Sequence, residues 1–301
     1  MSKPVVEMIA AAVPRDRYRV ACDLLALTKP RILLMVLATT LVGYFVALSG
    51  PADYLRVAHL LGGTLLAAGG TLALNQYVER DVDARMERTK HRPLPDGRLQ
   101  PLEALLFASF LTSLGVGYLA VGVGVAAAAL TLATTVLYIG VYTPLKRRTA
   151  WCMLVGAVPG ALPPVTGWVA AGGDFGPGAV VLFGILFFWQ LPHTLAISRL
   201  YADDYARAGV RVRPVVERPG TRREPEIVSS TLGLVAVSLL PMGIGMSGIT
   251  YFVTAGALGL GLLGAGLAHA NAPSPASARR VLMASLLYLP LLLAVLAFDK
   301  P

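Results

Sequence analysis

The stretch from Arg56 to Asp83 reads RVAHLLGGTLLAAGGTLALNQYVERDVD and joins a long apolar run to a polar end. Its residues 56–78 are numerous enough to cross a hydrocarbon layer of about 30 Å as a helix. Asn75, Glu79 and Asp83 follow one another at intervals of four residues at the end of that run. The stretch therefore predicts a membrane-spanning helix that ends in oxygen-bearing side chains.

Eight further apolar runs of similar length occur along the chain of 301 residues. The chain is 55% hydrophobic and 14% charged, whereas a soluble domain has roughly 25% charged residues. The alternation expected of lipid-facing barrel strands is absent, so helices are the only way to satisfy the backbone in lipid. We predict an all-α, polytopic membrane protein, a single domain over residues 1–301, with spans at 31–49, 56–78, 102–120, 122–141, 151–171, 178–200, 228–245, 249–269 and 280–298.

The basic residues lie almost entirely on one side of these predicted spans. Of the 26 Lys and Arg residues, only Arg56 and Lys300 fall on the other side. This bias predicts a cytoplasmic N-terminus and cytoplasmic even-numbered loops. The net charge of +9 then reflects topology, with anionic headgroups or a diphosphate as partners, and argues against nucleic acid. The predicted cytoplasmic parts are the N-terminal segment 1–27 and two active-site loops, 79–101 and 201–227.

The three polar residues at the end of the second span form one stripe on a helix. At 100° per residue, Glu79 lies 40° and Asp83 80° around the helix from Asn75. Mg²⁺ prefers oxygen ligands and binds through one or two carboxylates together with substrate phosphates. A solvated acidic turn would be the simpler interpretation, but polar groups that continue directly from an apolar run are costly unless they have a function. We therefore expect a metal site here, with Arg88 and Arg92 close enough to hold phosphate oxygens.

A second polar group follows the sixth span. His193 stands near the end of that span, and Asp203 and Asp204 follow it. The histidine is either packed and hydrogen-bonded, or a ligand to a porphyrin iron, a general base or a partner of a propionate. The two acids either complete a second metal site or form a plain surface pair. Lys146, in the loop after the fourth span, is a candidate diphosphate ligand.

These residues together resemble the UbiA-type intramembrane prenyltransferases, and within them the branch that farnesylates protohaem IX. The resemblance extends from the first to the sixth predicted span, and the motifs occur in the same order as in the family. Of the five matching stretches given below, the first, fourth and fifth together point to the haem branch. The matching stretches are LTKPRI (27–32), NQYVERDVDARMERTKHRPL (75–94), YTPLKRRT (142–149), GAVPGALPPVTGW (156–168) and LPHTLAISRLYADDYARAG (191–209).

The resemblance implies nine transmembrane helices around a central cavity that opens to the membrane. It implies Mg²⁺-dependent transfer of farnesyl from farnesyl diphosphate to the 2-vinyl group of haem b, in a bacterial inner membrane. A haem A synthase or a terminal oxidase assembly is the implied recipient of the product. By position, the resemblance implies catalytic roles for Asn75, Glu79, Asp83, His193 and Asp204, metal binding by the three residues of the stripe and Asp204, and diphosphate binding by Arg88, Arg92 and Lys146. We also expect Asp203 among the metal ligands and Arg31 and Tyr142 among the diphosphate ligands.

The sequence departs from the superfamily pattern at two points. Glu79 stands where an Asp is usual, and Leu200 stands where the second acidic motif would begin. Three other functions are also compatible with the residues. One is a related prenyltransferase with an aromatic or chlorin acceptor, and another is a secondary transporter, in which intramembrane acids carry coupling ions. The third is a haem-binding membrane subunit without catalysis.

Overall fold

A computed structural model describes residues 16–212 and 225–300, and long helices make up most of both ranges. One helix, α5, contains a π-helical stretch at Leu137–Tyr142. The helices are α1 (Arg17–Leu27), α2 (Pro30–Ala47), α3 (Tyr54–Asp83), α4 (Pro101–Gly122), α5 (Val125–Leu145), α6 (Cys152–Ala170), α7 (Pro177–Leu200), α8 (Ala202–Arg207), α9 (Pro225–Gly243), α10 (Ile249–Asn271) and α11 (Pro275–Phe298).

Within the described ranges, nine helices are long and apolar enough to cross a membrane, namely α2 to α7 and α9 to α11. The predicted number and order of spans are confirmed, and their ends differ by a few residues. The prediction that residues 79–101 form a loop is wrong at its start, because α3 continues as helix to Asp83. The predicted segment 1–27 contains α1, while residues 1–15 of that segment and 213–224 of the predicted loop 201–227 lie outside the described residues.

Proline and polar caps fix where several helices begin. Pro30, Pro101, Pro177 and Pro275 each stand in a first turn, where the missing N–H of proline costs no hydrogen bond. The carboxylate of Asp53 accepts a hydrogen bond from the backbone N–H of Arg56 at the start of α3. These local signals place the helix starts within a few residues of the apolar runs.

Glycines let α2 and α6 pack backbone against backbone. A methyl group at Gly167 of α6 would overlap the backbone carbonyl of Thr40, and one at Gly43 of α2 would overlap the carbonyl of Pro164. Small residues at helix crossings allow this approach, which gains dispersion contacts where lipid offers no hydrophobic driving force. The crossing holds together two helices whose residues Thr40 and Thr166 line the same cavity.

The main apolar core lies between α7, α9, α10 and α11, away from that cavity. Its buried side chains include Leu182, Ile185, Leu234, Leu262 and Tyr288. The cavity is lined instead by α2, α3, α5, α6 and α7 together with the loops at one end. Five of the nine spans in the described ranges therefore form the cavity wall, and α9 to α11 support α7 from behind.

Replacing Gly167 with Ala should destabilise the protein, because the added methyl group would press on the Thr40 carbonyl. Overpacking of this kind costs about 1–3 kcal/mol. Thermal unfolding of the purified protein should show a lower midpoint. Gly117→Ala is the control, since nothing lies within 4 Å of a methyl group at that exposed position of α4. Equal unfolding midpoints for the two variants would contradict the packing described here.

Candidate active site

The last turns of α3 carry the predicted acidic stripe into the protein interior. Asn75 and Asp83 are 1% and 2% exposed, and the side chain of Glu79 is 14% exposed. Because the helix is continuous through Asp83, the spacing of four residues keeps these side chains on neighbouring turns of one face. Asp81, which falls on another face, has a side chain that is 79% exposed. The structure thus separates these three groups, two buried and one partly buried, from the solvated acid beside them.

Each residue of the stripe is hydrogen-bonded to a basic side chain from another part of the chain. Arg92, in the loop after α3, lies 2.6 Å from a carboxylate oxygen of Asp83. Lys146, just after α5, lies 2.8 Å from Glu79. Lys29, between α1 and α2, donates to the amide oxygen of Asn75 at 2.9 Å. We call this group of three acceptors and three cations the charged rim.

The charged rim shifts the pKa values of both lysines. Burial lowers the pKa of Lys29, and the positive charges of Arg92 and Lys146 lower it further, to about 7. Burial also opposes the charge of Lys146, but its neighbours Tyr142 and Glu79 outweigh that effect, so the pKa of Lys146 lies above the usual value. Lys146 is therefore a permanent cation of the rim, whereas the charge of Lys29 depends on its surroundings.

The π-helical stretch of α5 places Tyr142 and Lys146 beside the acidic stripe. π-helical turns inside α-helices are frequent at functional sites, because the extra residue re-aims the side chains that follow. Here the Thr143 hydroxyl donates to the carbonyl of Tyr138, and the Asn75 amide donates to Thr143 in turn. The Lys146 ammonium lies 4.5 Å from the centre of the Tyr142 ring. Gly156 of α6 lets that ring approach, since a methyl group there would be 2.5 Å from it.

A cavity of about 440 Å³ adjoins the charged rim. Lys146, Tyr142 and Arg88 line the part nearest the rim, and Thr64 lines the wall eleven residues before Asn75 on α3. That separation corresponds to about 16 Å along a helix. Eight threonines contribute to the wall, and seven of them donate to carbonyls of their own helices (Thr40, Thr71, Thr131, Thr134, Thr135, Thr166 and Thr194). The cavity therefore has one charged end and a wall with few free hydrogen-bond donors.

Asp204 joins the two loops at this end of the bundle. Its carboxylate accepts from the backbone N–H groups of Glu87 and Arg88, at 3.3 and 3.4 Å, and pairs with Arg207. Asp203, the residue before it in the short helix α8, is exposed. The guanidinium of Arg88 lies 5.2 Å from the centre of the Tyr201 ring, and both loops reach the cavity lining.

His193 lies away from the cavity, on the face of α7 that meets α11. Its ring stacks on Trp189, with ring centres 4.8 Å apart, and its Nδ1 is 2.9 Å from the Ser285 hydroxyl. Gln190, one turn earlier, lines the cavity instead and donates to the carbonyls of Ala157 and Leu186. The structure therefore does not bring His193 together with the charged rim, and its contacts are those of a packed, hydrogen-bonded histidine.

Of the predicted diphosphate ligands, Arg88, Tyr142 and Lys146 line the cavity and Arg92 reaches the rim. Arg31 is different, because it is exposed and outside the cavity lining. Lys29, two residues earlier, reaches the rim in its place. Sequence reasoning missed Lys29, Tyr138 and Gln190, and their only sequence signal is a position inside or beside the matching stretches 27–32, 142–149 and 191–209.

The oxygen donors of the rim suit a hard cation such as Mg²⁺, although the protein alone does not enclose one. In residues 16–212 and 225–300, no group of three or more His, Cys, Asp or Glu side chains could hold a metal ion. The five predicted metal ligands are therefore not assembled into one cluster. Asn75, Glu79 and Asp83 nevertheless offer oxygen atoms only, and Mg²⁺ usually binds one or two carboxylates and completes its shell with water and phosphate. The residues present fit an ion that arrives with a phosphorylated ligand.

Similar sequences cover nearly the whole chain. The protoheme IX farnesyltransferase of Solibacter usitatus (strain Ellin6076) is 43% identical over 288 residues, which are 93% of this chain and 99% of that protein. The protoheme IX farnesyltransferase of Koribacter versatilis (strain Ellin345) is 42% identical over 300 residues, covering 96% of this chain and 97% of that one.

Solved structures share the fold at much lower identity. A digeranylgeranylglyceryl phosphate synthase matches with a TM-score of 0.76 at 16% identity and covers 93% of this chain and 98% of its own. A UbiA homologue from Archaeoglobus fulgidus, bound to GPP and Mg²⁺, matches with a TM-score of 0.62 at 16% identity, covering 91% and 99%. The sequence profile of the UbiA prenyltransferase family matches residues 36–292. The chain belongs to the UbiA prenyltransferase family.

Proposed function

We propose that the chain transfers the farnesyl group of farnesyl diphosphate to the 2-vinyl group of haem b, giving haem O and diphosphate. The observation that carries this proposal is the charged rim at the mouth of a cavity with few free donors. Such a site is complementary to an isoprenoid diphosphate, since its charged end binds the anionic group and its other end accepts the hydrocarbon chain. Relatives at 43% and 42% identity, both named protoheme IX farnesyltransferase, support haem as the acceptor.

The rim could bind a diphosphate together with a metal ion, because the acids of its ion pairs would bind the metal and the basic side chains would bind the diphosphate. Asn75, Glu79 and Asp83 would hold Mg²⁺, which would stabilise the charge that develops on the leaving diphosphate. Lys146 and Arg92, released from Glu79 and Asp83, would donate to diphosphate oxygens, and Arg88 would do so from the cavity wall. The exchange keeps every buried charge compensated, so the site does not have to bury a lone ion.

The chain's own residues also protect the reacting carbon. Cleavage of the bond between the allylic carbon and the diphosphate oxygen leaves an allylic cation, which water would capture. The rings of Tyr138 and Tyr142, together with seven threonines whose hydroxyls donate to their own helices, line much of the wall, so it offers water few free donors. The vinyl group of haem then attacks the allylic carbon, and water adds to the resulting cation on the haem side and loses a proton, which leaves a hydroxyl group.

The metal ligands Asp203 and Asp204 and the catalytic residue His193 stay predictions from the sequence. Asp204 sits at the junction of the two loops, where it accepts from the backbone N–H of Arg88, whereas His193 contacts α11. A transporter is not favoured, because the chain belongs to a prenyltransferase family. We further propose that the basic loops face the cytoplasm of a bacterial cell, with the N-terminus on the same side. A haem A synthase or an oxidase assembly as recipient is likewise a prediction from the resemblance.

Asp83→Asn should lower haem O formation by a factor of about 10²–10³, the usual effect of removing one group that stabilises transition-state charge. The amide keeps the shape of the carboxylate but loses the charge that holds Arg92 and a divalent ion. Asp81→Asn is the matched control, because Asp81 lies two residues away with an exposed side chain. Mass spectrometry of haem from membranes supplied with haem b and farnesyl diphosphate measures the product. Parental activity in Asp83→Asn would remove this residue from the site.

Removal of divalent ions should stop the reaction and leave the fold intact. The rim residues have partners in the protein itself, so excess chelator should change the thermal unfolding midpoint little. Haem O formation should fall to background in chelator and return when Mg²⁺ is added. Undiminished haem O formation in excess chelator, with no divalent ion left, would contradict the proposed mechanism.

A further inference from the structure

Lys29 differs from the other two cations of the charged rim in its partner. Arg92 and Lys146 each pair with a carboxylate, whereas the Lys29 ammonium donates to the neutral amide of Asn75 at 2.9 Å. No carboxylate of residues 16–212 and 225–300 lies within 4.0 Å of that ammonium. Lys29 is therefore the cation of the rim that forms no ion pair with a carboxylate.

The corner between α1 and α2 directs Lys29 inward. Its backbone has a φ of 50° and a ψ of 66°, a left-handed conformation that residues other than glycine adopt only where their surroundings impose it. Lys29 is the only residue besides glycine with a positive φ in the described ranges. Gln76 of α3 fixes the corner by donating to the carbonyl of Leu27 at 2.9 Å. Asn75, the residue before Gln76, accepts the hydrogen bond from the lysine. The side chain is therefore aimed at the rim by contacts made elsewhere.

A charged group away from bulk water is stable only when counter-charge or hydrogen bonds replace its hydration. One amide oxygen replaces that hydration incompletely for an ammonium, which has three donors. Arg92 and Lys146 repel Lys29 through space, and this repulsion outweighs the attraction of Glu79 and Asp83. The environment of Lys29 thus favours an additional anion at this point of the rim, and the diphosphate of the substrate is the anion that the site is proposed to receive.

We propose that Lys29 is a diphosphate-binding residue whose ammonium moves from the Asn75 amide oxygen to a diphosphate oxygen when substrate binds. The move also releases the Asn75 oxygen, which is one of the proposed metal ligands. The inference rests on the proposed function, and it adds a residue from the corner before α2 to a site otherwise built by α3, α5 and the loop after α3. It assigns to Lys29 the role that sequence reasoning gave to Arg31.

Two substitutions separate charge from hydrogen bonding at this position. Lys29→Gln keeps a donor for Asn75 but removes the charge, and Lys29→Met removes both. The dissociation constant of inorganic pyrophosphate in the presence of Mg²⁺ is measured by calorimetry on the purified full chain. Both variants should bind about tenfold more weakly than the parent, as expected when a charge-assisted hydrogen bond is lost. Lys29→Arg should stay within about threefold of the parent, because it keeps the charge.

Lys90→Gln is the matched control, because Lys90 pairs with Glu87 at 2.6 Å on the exposed surface of the neighbouring loop. It should bind pyrophosphate like the parent. In turnover assays, Lys29→Gln should raise the KM for farnesyl diphosphate and leave the KM for haem b unchanged. Unfolding midpoints are recorded for each variant, and Lys29→Gln decides the question if Lys29→Met does not fold.

Parental pyrophosphate binding by Lys29→Gln would overturn the assignment, even if Lys29→Met binds weakly, because a hydrogen bond to Asn75 would then account for the effect. If the parent forms haem O and Lys29→Gln binds normally, only the role of Lys29 fails. If the parent neither binds pyrophosphate with Mg²⁺ nor forms haem O, the proposed function fails, and the inference fails with it.

Discussion

The cost of burying charge in a membrane protein governs the arrangement of this site. A carboxylate without a partner in a low-dielectric interior is destabilising by several kcal/mol. Glu79 and Asp83 are held inside because Lys146 and Arg92 lie 2.8 and 2.6 Å from them. These partners come from the end of α5 and from the loop after α3, so the acids cannot be buried until separate parts of the chain have come together.

In the proposed mechanism, the same pairs exchange partners. A divalent cation would replace the basic side chains at the acids, and a diphosphate would replace the acids at the basic side chains, so that no buried charge loses its partner. The π-helical stretch at Leu137–Tyr142 and the fixed corner at Lys29 set where two of the cations stand. The supporting core between α7, α9, α10 and α11 lies outside this exchange and keeps the cavity wall in position.

Sequence reasoning succeeded where one local property decides the outcome. Apolar run length predicted the nine spans of the described ranges, because a helix is the only way to satisfy that backbone in lipid. Helical periodicity placed Asn75, Glu79 and Asp83 on one face. Sequence reasoning left the alternatives for His193 open, and the structure turns this side chain toward Ser285. It also did not identify Lys29, which reaches the rim while Arg31 is exposed. Those outcomes depend on which neighbouring helix a side chain meets, and spacing along one helix does not contain that information.

By itself, the sequence determined an all-helical membrane protein of the UbiA type, with acids at the end of one span and basic residues concentrated in alternate loops. These properties follow from composition, periodicity and motif order, each of which is local. Only the tertiary structure decided which cation pairs with which acid, that Asp204 joins two loops, and that five of the nine described spans line the cavity. The physical reason is that ion pairs and helix contacts join residues far apart in the chain, and helix packing alone fixes their distances.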